Sequence, residues 1–136
     1  WTVTNVCCLY ATAPFVSSYD ISSAYEVLLK KKNTYVFSAT TYAFPVERAF
    51  RINNNDEIQM LFPEQYHTRS QDLIETYHDA GQFYWGKSET WLEKREIFST
   101  DAEPYILPRI KVQDIDTVED WETAELLFET MKRKSR

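Results

Sequence analysis

The distribution of apolar residues along the chain predicts alternating strands and helices. Residues 3–10 form a nearly continuous apolar run, which is typical of a strand buried on both faces of a parallel sheet. Ser18 is expected to cap a following helix, and a second strand is predicted at residues 35–39. The apolar positions of the helix recur at helical spacing and are Ile21, Ala24, Tyr25 and Leu28. Together these elements predict a right-handed βαβ unit, and hence an α/β fold.

The pattern changes after residue 42, where two short apolar segments flank a polar turn. Residues 48–52 and 57–62 are predicted strands, and the Asn- and Asp-rich cluster at residues 53–56 is typical of a hairpin loop. The region is rich in aromatic residues, and an isolated hairpin needs a surface on which to pack. That surface is either a partner subunit or the hairpin's own domain.

The second half of the chain returns to the strand and helix pattern. A turn at residues 79–81 is expected to lead into a strand at residues 82–85, and a short helix follows from about Ser88. Pro104 and Pro108 bracket an extended segment, because proline and the residue before it both avoid helix. A further strand is predicted to run from there towards Asp114.

Two aspartates follow at the end of this last predicted strand. In extended backbone Asp114 and Asp116 share one face, whereas Ile115 points to the opposite face. Thr117 and Asp120 have the spacing of a helix cap, so the strand should stop where a helix begins. Carboxylate oxygens are the ligands that Mg²⁺ and Mn²⁺ prefer. The pair predicts a divalent-cation site, and a solvated helix-capping loop is the alternative interpretation.

Composition and charge narrow the class of protein. The chain has 136 residues, 43% of them hydrophobic, which is enough for one globular domain or part of one. Its formal net charge of −6 argues against a general binder of nucleic acid or anionic membranes. No segment resembles a signal peptide or a membrane span, so a cytoplasmic protein is expected.

Two further features concern the start of the chain. Cys7 and Cys8 are adjacent in a predicted strand, so they should face opposite sides of it as reduced core thiols. The chain opens at Trp1 rather than Met, and its first apolar run begins almost at once. We therefore expect a preceding segment to be missing.

Three motifs, which together extend over nearly the whole chain, are informative as a set. The first is LYATAPF at residues 9–15. The second is RSQDL at residues 69–73, followed by YHDAGQFYW at residues 77–85, and the third is DIDTVEDW at residues 114–121. The set resembles the family of cytidylyltransferases that activate nine-carbon acidic sugars, the CMP-acylneuraminate (sialic acid) synthetases. The second motif is the most specific to the pseudaminic acid branch.

The resemblance implies a fold and a domain organisation. The implied fold is a Rossmann-like nucleotide-diphospho-sugar transferase, a three-layer α/β sandwich with a mixed, mainly parallel sheet and a protruding β-hairpin dimerisation element. Residues 1–136 would be the C-terminal portion of a single cytidylyltransferase domain, with residues 42–75 as the hairpin excursion. The family's N-terminal nucleotide-binding loop, rich in Gly, Arg, Ser and Lys, is absent from the chain. The chain alone is therefore expected to lack turnover.

The resemblance also implies an activity. CMP would pass from CTP to pseudaminic acid, with release of pyrophosphate, in a Mg²⁺-dependent (or Mn²⁺-dependent) homodimer that serves glycosylation of surface structures such as flagellin. No nucleic acid or membrane partner is implied. Two alternatives stay open, namely another nonulosonic acid, such as N-acetylneuraminic or legionaminic acid, as substrate, or a non-catalytic α/β interaction domain.

The resemblance also implies roles for individual residues, which are assigned from the matching positions of the family motifs. Asp114 and Asp116 are implied as catalytic residues and metal ligands, and Arg69 as a catalytic residue that suits a carboxylate or phosphate. The implied substrate-binding residues are Thr12, Gln71, Asp79, Gly81, Gln82 and Tyr84. Arg69 could instead form an ordinary ion pair with Asp72, and His78 could be either an acid or base or a structural histidine.

Overall fold

The chain contains both strands and α-helices in the computed structural model, which describes residues 2–30 and 34–134 and leaves Trp1 outside the described residues. The strands are β1 (Asn5–Leu9), β2 (Tyr35–Thr41), β3 (Phe50–Ile52), β4 (Ile58–Met60), β5 (Tyr77–Lys87) and β6 (Glu103–Ile106). The α-helices are α1 (Ser18–Lys30), α2 (Ser88–Leu92) and α3 (Val118–Lys134). The predicted α/β class is confirmed. Among the described residues, no helix combines the length and the apolar character needed to cross a membrane.

The described chain divides into two compact units. Unit 2 is Thr41–His78, and unit 1 is the remainder of the described chain. Unit 1 contains the three α-helices and most of the large sheet, whereas unit 2 contains β3, β4 and several short 3₁₀ helices.

The large sheet has four strands in the spatial order β1, β5, β2, β6. It is mixed, since β1 pairs antiparallel with β5 whereas β2 pairs parallel with β6. The prediction of a mixed sheet is confirmed, but the prediction that it is mainly parallel is wrong. The reason is that β5, from the second half of the chain, lies between β1 and β2 and pairs antiparallel with β1.

The first strand is less buried than its apolar sequence predicted. Among the described strands β1 pairs only with β5, and Cys8 and Leu9 are exposed. The prediction that this strand is buried on both faces is therefore wrong. Cys7 and Cys8 are both free thiols, as predicted, but only Cys7 is partly buried. Burial, and then the neighbouring Cys8 sulfur, raises the pKa of Cys7 to about 11, so this thiol stays protonated at neutral pH.

The core of unit 1 lies where α1 packs on the sheet. Its buried members come from α1, from β2 and β5, and from the residue after β6, and they are Ala24, Leu28, Val36, Ala80, Phe83 and Leu107. The other predicted apolar positions of α1, Ile21 and Tyr25, pack against this cluster. The predicted apolar face of the helix is therefore confirmed.

The start of α1 differs by one residue from the prediction. Ser17, rather than Ser18, caps the helix, because its Oγ accepts a hydrogen bond from the backbone N–H of Asp20 at 3.1 Å. The same hydroxyl donates to the Asp20 carboxylate at 2.5 Å. The Asp20 side chain, which is itself buried, is thereby held at the start of the helix.

Unit 2 contains the predicted hairpin. β3 and β4 pair antiparallel, with Phe50 opposite Met60 and Ile52 opposite Ile58. The chain after β4 is held by Arg48, whose guanidinium donates to three backbone carbonyls. The accepting residues are Gln65, Tyr66 and Thr68. The hairpin prediction is confirmed, and Arg48 is engaged within the unit.

Candidate functional site

The two predicted metal ligands lie on a loop and not at the end of a strand. β6 ends at Ile106, a short 3₁₀ helix (Arg109–Lys111) follows Pro108, and the chain is then irregular as far as α3. The predicted strand is wrong because the chain turns after the proline instead of extending. Exposure still alternates, since the side chains of Asp114 and Asp116 are exposed and that of Ile115, between them, is partly buried. We call residues 112–117 the acidic loop.

The helix cap at the end of the acidic loop is confirmed. Thr117 Oγ1 accepts the N–H of Asp120 at 3.2 Å. Asp120 Oδ2 accepts the N–H groups of Asp116 at 3.2 Å and Thr117 at 2.9 Å. The Thr117 hydroxyl also donates to Asp120, and this bond, followed by those from the two N–H groups, lowers the pKa of the Asp120 carboxyl. Capping is therefore done by Thr117 and Asp120, and not by the carboxylates of Asp114 and Asp116.

The donor set of the acidic loop fits a cation shared with a phosphate ligand. Asp114 Oδ1 accepts only the N–H of its neighbour Ile115, at 3.1 Å, among the contacts in the described chain. The described ranges contain no cluster of three or more Asp, Glu, His or Cys side chains that could enclose a metal. Two carboxylates are what Mg²⁺ takes when water and phosphate oxygens complete its octahedron. Metal binding by Asp114 and Asp116 stays a prediction with a compatible donor set.

Three of the predicted substrate-binding residues lie together on β5. The Tyr84 hydroxyl donates to Asp79 Oδ2, and the Gly81 N–H donates to Asp79 Oδ1 at 2.9 Å. The buried Tyr84 ring lies 5.2 Å from the ring of Tyr10 between centroids. Burial, followed by the bond to Asp79, raises the pKa of Tyr84, so its hydroxyl remains a neutral donor. We call Tyr10, Asp79, Gly81 and Tyr84 the tyrosine cluster.

The turn predicted at residues 79–81 is wrong, because these residues lie inside β5. Gly81 has a φ of +61°, a conformation that glycine adopts without the strain a side chain would bring. The nearest heavy atom to a Cβ built at Gly81 is Tyr10 Cδ2, at 4.0 Å. A Cβ at Gly81 would therefore make only a van der Waals contact with Tyr10, so the positive φ, and not crowding, is what favours glycine here.

Gln82 and Thr12 occupy different environments. Gln82 is 2% exposed, and its Nε2 donates to the backbone carbonyl of Lys111 at 2.5 Å. Its own N–H donates to Ser38 Oγ at 3.2 Å, so this residue is fully engaged inside unit 1. Thr12 lies on the exposed loop after β1, two residues beyond Tyr10, whose N–H donates to the Gln82 carbonyl at 2.9 Å. Thr12 therefore follows the tyrosine cluster along the chain, and the Gln82 side chain points to Lys111.

Arg69 and Gln71 belong to unit 2. Arg69 Nε lies 2.8 Å from Asp72 Oδ2, so the ion pair foreseen as the alternative interpretation is present. Both partners are exposed, and an exposed pair of this kind contributes little to stability and can exchange partners. Gln71 is exposed on the 3₁₀ helix Ser70–Asp72. The His78 ring lies 4.7 Å from the Tyr42 ring, a packing contact that favours the structural interpretation of this histidine.

Comparison with known proteins agrees with the sequence motifs. The chain matches no protein-family model. It is 44% identical over 124 residues to proteins named pseudaminic acid cytidylyltransferase from two strains of Campylobacter jejuni, and the match covers 91% of this chain and 53% of each relative. Over most of its own length, the chain is therefore similar to about half of each of these pseudaminic acid cytidylyltransferases.

A third relative extends the comparison to a longer protein. A Helicobacter pylori protein named pseudaminic acid cytidylyltransferase and UDP-2,4-diacetamido-2,4,6-trideoxy-beta-L-altropyranose hydrolase is 39% identical over 110 residues, which are 80% of this chain and 21% of that protein. The family resemblance carried by the three motifs is thus confirmed. The chain spans about half the length of the Campylobacter cytidylyltransferases that it matches.

Unit 1 also contains a polar pair that the sequence analysis did not predict. Lys111 Nζ lies 2.9 Å from Asp20 Oδ2, and Tyr105 donates to Asp20 Oδ1 at 3.4 Å. Burial raises the pKa of Asp20, but the bonds from Lys111 and Ser17 and the charge of Lys111 outweigh it, so the pKa is lowered overall. The only sequence signal was Asp20 following Ser17 at the spacing of a helix cap, and this does not identify a partner on another element.

Proposed function

We propose that the protein to which this chain belongs transfers CMP from CTP to pseudaminic acid and releases pyrophosphate. The observation that carries the proposal is the 44% identity, over 91% of the chain, to proteins of that name. The two exposed carboxylates of the acidic loop and the polar contacts of the tyrosine cluster support it, because they suit a cation and a hydroxylated sugar. A cytoplasmic location and a role in glycosylating surface structures belong to the same proposal.

The proposed reaction joins the anomeric oxygen of the sugar to the α-phosphorus of CTP and breaks the bond between that phosphorus and the bridging oxygen of pyrophosphate. Asp114 and Asp116 would hold Mg²⁺, which supplies charge neutralisation at the triphosphate. The side chains of this chain act by binding and orienting the reactants rather than by forming a covalent intermediate. Arg69 is proposed as a further contact for an acidic group on its chemistry alone, since guanidinium recognises carboxylate and phosphate.

The tyrosine cluster is the proposed sugar contact. Asp79 supplies carboxylate oxygens that can accept a hydrogen bond from a sugar hydroxyl, and the Tyr84 hydroxyl and Gly81 N–H fix the carboxylate's orientation. The absence of a Cβ at Gly81 lets a ligand approach the backbone. Thr12, exposed on the loop after β1, is a further proposed substrate contact in unit 1. Gln71, exposed in unit 2, is proposed as a substrate contact on the chemistry of its amide group alone.

Substrate choice can be tested directly on the full-length protein. With CTP and Mg²⁺ present, we expect faster pyrophosphate release with pseudaminic acid than with N-acetylneuraminic or legionaminic acid.

The purified 136-residue chain is expected to show no turnover under the same conditions, because the nucleotide-binding loop of the family is absent from it. A preference for N-acetylneuraminic acid, or turnover by the chain alone, would contradict the corresponding part of the proposal.

The finer features of the fold are proposed with the function. We propose that the chain is the C-terminal portion of one Rossmann-like, three-layer cytidylyltransferase domain, and that residues 42–75 form its homodimerisation element. The support for dimerisation is the exposed apolar surface of unit 2. Ile52 and Ile58, paired across β3 and β4, are 65% and 72% exposed, and Phe44 and Ile74 are exposed as well. An apolar surface of this kind is typical of an interaction site.

Sedimentation velocity on the full-length protein tests the dimer. We expect the wild type to sediment as a dimer and the double variant Ile52→Lys, Ile58→Glu as a monomer at the same concentration. The opposite charges keep the cross-strand pair attractive, so the hairpin is retained while its apolar surface is lost. Leu92→Glu, at an exposed apolar position in unit 1, is the matched control and should remain dimeric. A strictly monomeric wild type would contradict the role of the hairpin.

A further inference from the structure

The segment just before the acidic loop is tied to the core at two independent points, both on Lys111. Its ammonium lies 2.9 Å from Asp20 Oδ2, and its backbone carbonyl accepts the Nε2 of Gln82. Asp20 is 5% exposed and Gln82 is 2% exposed. The position of Lys111 is therefore fixed by one buried side chain from α1 and another from β5.

The Asp20 end of this connection is itself held firmly. Its Oδ2 accepts the Ser17 hydroxyl at 2.5 Å as well as the Lys111 ammonium, and its Oδ1 accepts the Tyr105 hydroxyl at 3.4 Å. These donors come from the start of α1, from β6 and from the 3₁₀ helix Arg109–Lys111. A buried carboxylate that accepts hydrogen bonds from several donors has few alternative positions. Removing its cationic partner would leave a buried negative charge without compensation.

The position of the acidic loop depends on the contacts that hold its two ends. Its C-terminal end is held by the bonds from Asp116 and Thr117 to Asp120. Within the described chain, the carboxylate of Asp114 has only the N–H of Ile115 as a partner, and no hydrogen bond or ion pair engages the Asp116 carboxylate. Lys111, three residues before Asp114, is the corresponding fixed point at the N-terminal end.

We propose that Asp20 and Gln82, acting through Lys111, are positioning residues that set the acidic loop in place for cation binding. The proposal rests on the proposed function in that the cation is the one held by Asp114 and Asp116. Two carboxylates that already have the separation and direction a shared cation needs bind it more tightly, because less ordering is left to the binding step. Partners that hold ligand-bearing segments commonly change metal affinity by about 10–100-fold when they are removed.

The test uses Mn²⁺ as the probe, with its affinity for the full-length protein measured by electron paramagnetic resonance. We expect Asp20→Asn and Lys111→Met each to weaken Mn²⁺ binding roughly tenfold. Because the two residues act as one unit, the double variant should be no weaker than the weaker single variant. Glu93→Gln, which removes an exposed ion pair with Arg95, is the control and should leave the affinity unchanged.

Hydrogen exchange gives a second readout that needs no metal. Asp20→Asn and Lys111→Met should speed amide exchange in residues 109–117 while the core strand β5 keeps its protection. If Asp20→Asn does not fold, Lys111→Met still provides the test, because the side chain of Lys111 is 34% exposed. Unchanged Mn²⁺ affinity and unchanged exchange in both variants would overturn the proposal. If Asp114→Asn leaves Mn²⁺ binding intact, the metal assignment fails, whereas the exchange result still decides whether Asp20 and Lys111 hold the loop.

Discussion

Replacing both Asp114 and Asp116 by asparagine in the full-length protein should lower kcat for CMP transfer by about a thousandfold or more. Asparagine keeps the size of the side chain but removes the negative charge that binds a divalent cation. The two side chains are exposed, and neither carboxylate takes part in the cap of α3, so the fold should tolerate the change. Pyrophosphate release as a function of Mg²⁺ concentration, together with thermal unfolding of the same samples, measures both effects.

A neighbouring acid supplies the control for this experiment. Glu119, exposed in the first turn of α3, carries the same charge within a few residues of the acidic loop. Glu119→Gln should keep kcat within about twofold of the wild type, since surface substitutions away from a site have small effects. If the double asparagine variant retained activity and Mg²⁺ dependence, the metal assignment would be wrong. The acidic loop would then be the solvated loop of the alternative interpretation.

Elements whose signals are local could be predicted from the sequence. The apolar face of α1, the hairpin of β3 and β4, and the Thr117 and Asp120 cap each depend on residues a few positions apart. Helical periodicity and turn residues act over the same short distances, so a short stretch of sequence is enough to predict these elements. Even there the boundary shifted by one residue, since Ser17 rather than Ser18 caps α1.

The order of the strands could not be predicted in the same way. Cys8 lies opposite Tyr84 in the sheet, and no periodicity within either strand records a pairing between segments so far apart in the chain. The apolar run of β1 correctly predicted a strand, but an apolar sequence does not say how many neighbours the strand has. The turn after Pro108 likewise replaced the strand expected before Asp114 with a 3₁₀ helix and a loop.

In the candidate site, too, contacts between residues close in sequence could be predicted, whereas contacts between distant segments could not. The family motifs named Asp79, Gly81 and Tyr84 together, and the contacts among them in β5 span only a few residues. The pair of Asp20 and Lys111 was missed because an aspartate in the first turn of a helix and an isolated lysine are each common on a protein surface. Only the packing of α1 against the segment before the acidic loop makes them partners.

The core beneath α1 offers the sharpest test of the fold itself, because two adjacent leucines differ in burial. Leu28 is 2% exposed and packs in the core cluster, whereas Leu29 is 54% exposed. Leu28→Ala should lower the free energy of unfolding by about 2–5 kcal/mol, through lost burial and the cavity that remains. Urea unfolding of the 136-residue chain, followed by circular dichroism, gives this value from the midpoint and slope.

Leu29→Ala is the matched control, since it makes the same substitution in the same turn of α1 and therefore carries the same change in helix propensity. We expect it to cost less than about 1 kcal/mol, because a half-exposed side chain leaves no closed cavity. A large difference between the two variants locates the core on the face predicted by the apolar periodicity. Equal losses would contradict the packing of α1 on the sheet, and with it the anchoring of Asp20 on which the position of the acidic loop depends.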